Sequence, residues 1–100
     1  MKVILTGYSG FLGSNLCKIL SNKKCQIIKI NLRTKKKLNK RFIINLLSRY
    51  KKTSIVVNCA ASLKPKTAND FFVNCHLPKV LEDFSHKNKI KFIHVSTLNI

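Results

Sequence analysis

One hundred residues suit a single domain, and a hydrophobic content of 45% leaves room for a buried core, which excludes wholesale disorder. No apolar run approaches the ~18–20 residues of a membrane span, and the first residues lack the basic-then-apolar layout of a secretory signal, so a cytoplasmic protein is expected. Twenty Lys and Arg against three Asp and Glu give a formal charge of +17, which suits a polyanionic partner and raises nucleic acid as one reading.

Short apolar runs alternate with longer periodic ones along the chain. Val3-Ile4-Leu5 reads as a strand buried on both faces. Leu12, Leu16, Ile19 and Leu20 then fall on one face of a helix that begins at Phe11. Ile27, Ile28 and Ile30 are β-branched and predict a second strand. After a basic stretch from Arg33 to Lys40, Ile43, Leu46, Leu47 and Tyr50 predict a second helix. Ile55-Val56-Val57 is a third buried strand, and Ser62 to Thr67, with Pro65, is a loop. Asn69 is a candidate cap for a third helix whose inner face is Val73, Leu77, Val80, Leu81 and Phe84, kinked at Pro78. Phe92 to Val95 is a fourth strand. The order βαβαβαβ predicts an α/β fold with a parallel sheet, in the strand order 3-2-1-4.

Cys17, Cys25, Cys59 and Cys75 form no C-x-x-C pair and match no zinc spacing, so free thiols in a reducing compartment are expected, a disulfide framework being the alternative. His76, His86 and His94 show no i,i+4 pairing and read as ordinary surface or strand residues. No metal site is expected.

All three glycines lie in Thr6-Gly7-Tyr8-Ser9-Gly10-Phe11-Leu12-Gly13, between the first strand and the first helix. A glycine directly after the strand permits a tight turn, a second lets a pyrophosphate approach the backbone, and a third lets helix and sheet pack closely. The helix start offers unpaired N–H groups and a positive dipole end to the phosphates. The loop therefore points to a dinucleotide on a Rossmann-type sheet, against a purely structural glycine turn.

The spacing Thr6-Gly7-x-x-Gly10-x-x-Gly13 resembles the extended short-chain dehydrogenase/reductases, in particular their NAD-dependent epimerase/dehydratase family. Asn58-Cys59-Ala60-Ala61 resembles that family's Asn-x-Ala-Ala segment, Asn74 with Leu77-Pro78 its fourth helix, and Phe92 to Thr97 the strand that delivers an active-site hydroxyl. The short run from the second strand to Asn58 is similar to the branch containing dTDP-4-dehydrorhamnose reductases. The resemblance covers residues 1–100 but only the N-terminal part of such a Rossmann domain, without its C-terminal strands and substrate region. It implies that Gly7, Tyr8, Ser9, Gly10, Phe11, Leu12 and Gly13 cradle the pyrophosphate. Cys59, Ala60 and Ala61 would lie along the adenosine side, and Ser96 would reach the nicotinamide. Thr97 would hydrogen-bond the reacting carbonyl or alcohol, although on residue chemistry alone Ser96-Thr97 is a strand-end turn. The resemblance further implies a nucleotide-sugar substrate and, for a full-length form, a homodimer.

Two positions depart from the pattern. The acidic residue expected ~20 positions past the glycines, which holds the ribose 2′-hydroxyl, is replaced by Asn31, with Arg33 beside it. Asn31 can still bond a ribose, and Arg33 can pair a 2′-phosphate, so NAD or NADP is expected with a lean to NADP. The family's Tyr-x-x-x-Lys proton donor is missing: Tyr8 and Tyr50 are followed four residues on by Leu12 and Ser54. Whether these residues belong to an enzyme is thus open. The readings are the dinucleotide-binding portion of a nucleotide-sugar epimerase, dehydratase or reductase, incomplete for catalysis; a catalytically silent nucleotide-binding module; and a small basic nucleic-acid binder. Scattered lysines and core-like phenylalanine spacing argue against the last.

Overall fold

Runs of consecutive β-branched and aliphatic residues cannot leave either face in water, so the strands that carry them belong in the middle of a covered sheet. The computed structural model, which describes residues 1–34 and 36–95, places them there. Strands β1 (Lys2–Thr6), β2 (Gln26–Ile30), β3 (Ile55–Asn58) and β4 (Lys91–His94) form a parallel sheet in the order β2-β1-β3-β4. In register, Thr6 lies opposite Ile30 on one side and Asn58 on the other, and Asn58 lies opposite His94.

The parallel α/β sheet is as expected, but the strand order differs from 3-2-1-4. The third strand lies on the far side of β1 from β2. The side chains supply the reason. Gln26 and Lys29 of β2 are exposed and tolerable only at an edge, whereas Val56 and Val57 are buried and need a neighbour on each side. The winding therefore reverses between β1 and β3, and ligand crevices form at the carboxyl ends of such a pair.

Alternation along the strands divides the core in two. Ile4, Ile30 and Val56 face helices α2 (Lys40–Leu47) and α4 (Leu77–Lys87), packing with Ile43, Leu47, Leu81 and Phe84. Val3, Leu5 and Val57 face the other way, toward Leu16, Cys17 and Leu20 of α1 (Phe11–Asn22). Full burial of each large aliphatic contributes about 1.5–3 kcal/mol.

The third predicted helix is two. Helix α3 (Ala68–Cys75) ends at His76, and α4 starts at Leu77 with Pro78 in its first turn. A proline there forfeits no helical hydrogen bond, because first-turn N–H groups have no partner within the helix. Nor is Asn69 the cap. Thr67 caps α3 by accepting the Asp70 N–H at 3.1 Å, and the Asp70 carboxylate accepts the Thr67 N–H in return. Asn69 lies inside the helix, where it accepts the Leu38 N–H and donates to the Lys36 carbonyl.

Candidate functional site

The backbone turns sharply off β1 at Gly7, whose φ of +71° is left-handed. A Cβ there would also sit 2.5 Å from the Cys59 carbonyl carbon. Gly13 is buried on α1, and a Cβ on it would overlap the Gly7 carbonyl oxygen. These two glycines are demanded by the fold itself, because loop, helix and β3 end meet without room for side chains.

Gly10 is different. Its φ and ψ of −78° and 176° suit any residue, and a Cβ would meet only the Gly7 carbonyl oxygen at an ordinary 3.5 Å. It is the N-cap of α1 and has no side chain to take the helix's first N–H groups. The first bond across this turn runs from the Ser14 N–H to the Gly10 carbonyl at 2.8 Å. The N–H groups of Phe11, Leu12 and Gly13 precede it, and no acidic side chain occupies the first turn.

A crevice of about 360 Å³ opens above these groups at the carboxyl ends of β1, β2 and β3. Gly7, Tyr8, Ser9 and Gly10 form one wall, Ile30 to Arg33 a second, and Cys59 to Ser62 a third. The structure thus brings together nine of the expected residues: Gly7, Tyr8, Ser9, Gly10, Asn31, Arg33, Cys59, Ala60 and Ala61. Phe11 and Leu12 are not in the lining. Their side chains are exposed on the first helical turn, 82% and 43%. Gly13 lies beneath the loop. Ser96 and Thr97 lie outside the described residues.

Asn31 accepts the Arg33 N–H through Oδ1 at 2.9 Å, which leaves its amide N–H groups for a ligand. Arg33 is exposed and, among the described residues, forms no ion pair. Tyr8 is held from the side, with the Lys29 ammonium 5.7 Å from its ring centre. Burial, with the Cys17 thiol adding to it, pushes the Cys59 thiol above its usual range, which favours its neutral form. All four cysteines are free thiols.

The sequence reading missed Asp70, which lines the crevice from the first turn of α3. The N–H groups of Lys66 and Thr67 hold its carboxyl below the ordinary range. The Thr-x-x-Asp spacing of a capping box was the available signal. Ser62 was missed as well; it is tied to Asn74 by two reciprocal 2.8 Å bonds between its backbone and the Asn74 amide.

A family model described as RmlD substrate binding domain matches residues 1–100. The chain belongs to this family. Solved structures that share its fold include nucleotide-sugar epimerases and a dTDP-4-dehydrorhamnose reductase. UDP-glucose 4-epimerase from Thermotoga maritima is 24% identical, with a TM-score of 0.76 over 97% of this chain and 38% of that one. A dTDP-4-dehydrorhamnose reductase from Clostridium acetobutylicum is 23% identical, with a TM-score of 0.75 over 92% and 34%. The Bordetella bronchiseptica enzyme WbmH, solved in complex with NAD+, is 22% identical, with a TM-score of 0.72 over 91% and 37%. The RmlD-family chain therefore spans little more than a third of these relatives, matching their N-terminal region. No curated protein matches it. Membership does not favour the nucleic-acid or silent-module readings. Among the described residues no helix is long and apolar enough to cross a membrane.

Proposed function

We propose that residues 1–100 are the N-terminal part of a single NAD(P)-binding Rossmann domain, belonging to a cytoplasmic nucleotide-sugar epimerase, dehydratase or reductase. The observation that carries this is Gly10. Neither backbone conformation nor packing requires a glycine there, yet it fronts a crevice onto which a helix N-terminus opens. Space kept free beside unpaired N–H groups suits a pyrophosphate. Asn31 would donate to the ribose, and the small side chains of Ala60 and Ala61 leave the wall open to the adenosine. When bound, the nicotinamide supplies hydride transfer.

For the phosphate on the ribose, exposed Arg33 supports NADP. A second reading, NAD, is favoured by the Asp70 carboxylate on the same crevice, which repels a 2′-phosphate. With no Tyr-x-x-x-Lys in the sequence, the proton donor is assigned outside these residues. Thr97 remains the proposed hydroxyl for the substrate and Ser96 the neighbour of the nicotinamide. Pairing of full-length chains into a homodimer follows from the family resemblance alone.

The test is a fluorescence titration of the chain with NADH and NADPH beside Gly10→Val. The chain should bind at least one of them, and the variant should bind neither while keeping the wild-type circular dichroism. Equal affinity in the variant would overturn the assignment.

A further inference from the structure

A chain of buried polar groups ties the crevice wall to an exposed imidazole. Asn58 ends β3 fully buried. Its Oδ1 accepts the Thr6 hydroxyl from β1 and the Ala60 backbone N–H at 3.2 Å, while its Nδ2 lies 3.1 Å from Nδ1 of His94 on β4. The orientation of this amide is fixed by chemistry. A backbone N–H can only donate, so the atom facing Ala60 is oxygen and the atom facing His94 is nitrogen. An amide nitrogen likewise only donates, so Nδ1 of His94 is the acceptor in this contact, a role that only the Nε2–H tautomer of the imidazole can fill.

We infer that His94 is a positioning residue for the cofactor crevice: its neutral form holds Asn58, and through it Ala60, in the binding arrangement, and its protonation releases them. This rests on the dinucleotide reading above. A protonated Nδ1 would face the Asn58 NH2 donor to donor. Rotating the amide would restore that contact, but would then set the buried Asn58 NH2 against the Ala60 N–H, donor to donor. Either way one bond of the network is lost, next to a wall residue of the crevice.

Among the described residues, the elements packed on β4 offer no competing charge at this point. Strand β3 carries no titratable group. On α4, Lys79, Glu82, Asp83, His86 and Lys87 all lie on the exposed side, with Lys79 paired to Asp83 and Glu82 at 3.3 and 3.6 Å. His76, just before α4, is exposed and stands against Phe72. On β4 itself, Lys91 is at the opposite end, and Phe92 stacks on the His94 ring at 6.4 Å. Cys59, next to Asn58, is kept protonated by burial.

The experiment has two arms. In the ligand-free chain, the NMR shift of the Ala60 amide is followed from about pH 8 to about pH 5, the interval in which imidazoles change charge. It should move with the His94 ring signals, and in His94→Asn, which keeps an acceptor near the Nδ1 position, it should stay still. In the second arm, wild-type affinity for NADH should fall about two- to ten-fold over that interval, the equivalent of one lost hydrogen bond. His94→Asn should bind as the wild type does at high pH and keep that affinity on acidification. An Ala60 amide that ignores His94 protonation, or parallel pH profiles for the two proteins, overturns the inference. Absence of NADH and NADPH binding at pH 8 would sink the cofactor reading instead, with the ligand-free arm still deciding the coupling.

Discussion

Gly10→Ser should raise stability and lower dinucleotide affinity at the same time. The extended backbone at Gly10 is the geometry of an N-cap, and the new Cβ would stand an ordinary 3.5 Å from the Gly7 carbonyl oxygen. The serine Oγ can then accept an N–H from Leu12 or Gly13, a bond that glycine cannot make. Serine exceeds glycine at this position by a few tenths of a kcal/mol, roughly 0.3–0.5. For a domain of this size, in which 1 kcal/mol moves the midpoint by about 4–8 °C, the melting temperature should rise by about 1–4 °C. The same oxygen engages a donor that the pyrophosphate would use and sets its lone pairs against the anion. Loss of one charge-assisted bond, ~1.5–3 kcal/mol, is roughly a ten- to hundred-fold fall in affinity. Thermal melts by circular dichroism and NADH titration measure the two quantities on one sample. A higher melting temperature with unchanged affinity would refute the reasoning, since the helix N–H groups would then be capped without cost to the ligand.

Two further outcomes are expected. Arg33→Ala should weaken NADPH about ten-fold or more while leaving NADH nearly unchanged, if the guanidinium reads the 2′-phosphate; isothermal titration with both cofactors measures the ratio, and equal losses would reduce Arg33 to part of the general positive field. Because the Asp70 carboxyl is held below its unfolded value, its contribution to stability is present above about pH 4 and is lost as pH falls through the depressed folded value. Urea melts at pH 6 and at lower pH should show that loss in the wild type and a weaker one in Asp70→Asn, and identical acid limbs would remove Asp70 from the account.

The crevice was legible in the sequence because the loop after β1 demands glycine at positions 7 and 13, and the chain places its one remaining glycine, Gly10, between them. The alternation of strand and helix was equally plain. The side of β1 on which the third strand lands was not, since βαβ periodicity is the same for either direction of winding. The information lay in composition: a strand containing Gln26 and Lys29 belongs at an edge. The break at His76 was hidden because the apolar spacing from Val73 to Leu77 continues across it, and only Pro78, read as a first-turn residue, marks the new start. Asp70 escaped because its carboxylate caps a helix, and the fold alone carries that helix end to the crevice. The link from His94 to Ala60 could not be read at all, because it runs through β3 between residues 34 positions apart.

The central place of β1 also shapes how the chain must fold. Its partner on one side arrives after a single short helix, but Thr6 and Asn58 come together across 52 residues. Ordering that span costs entropy before the β1–β3 ladder returns anything, and such distant pairings slow folding. On the ribosome, β1 and β2 can associate early, whereas the wall from Cys59 to Ser62 and the Asp70 turn emerge much later. A dinucleotide held as proposed could not nucleate this fold from the glycine loop alone, so its binding would show itself as protection against unfolding, with little effect on the rate at which the chain first folds.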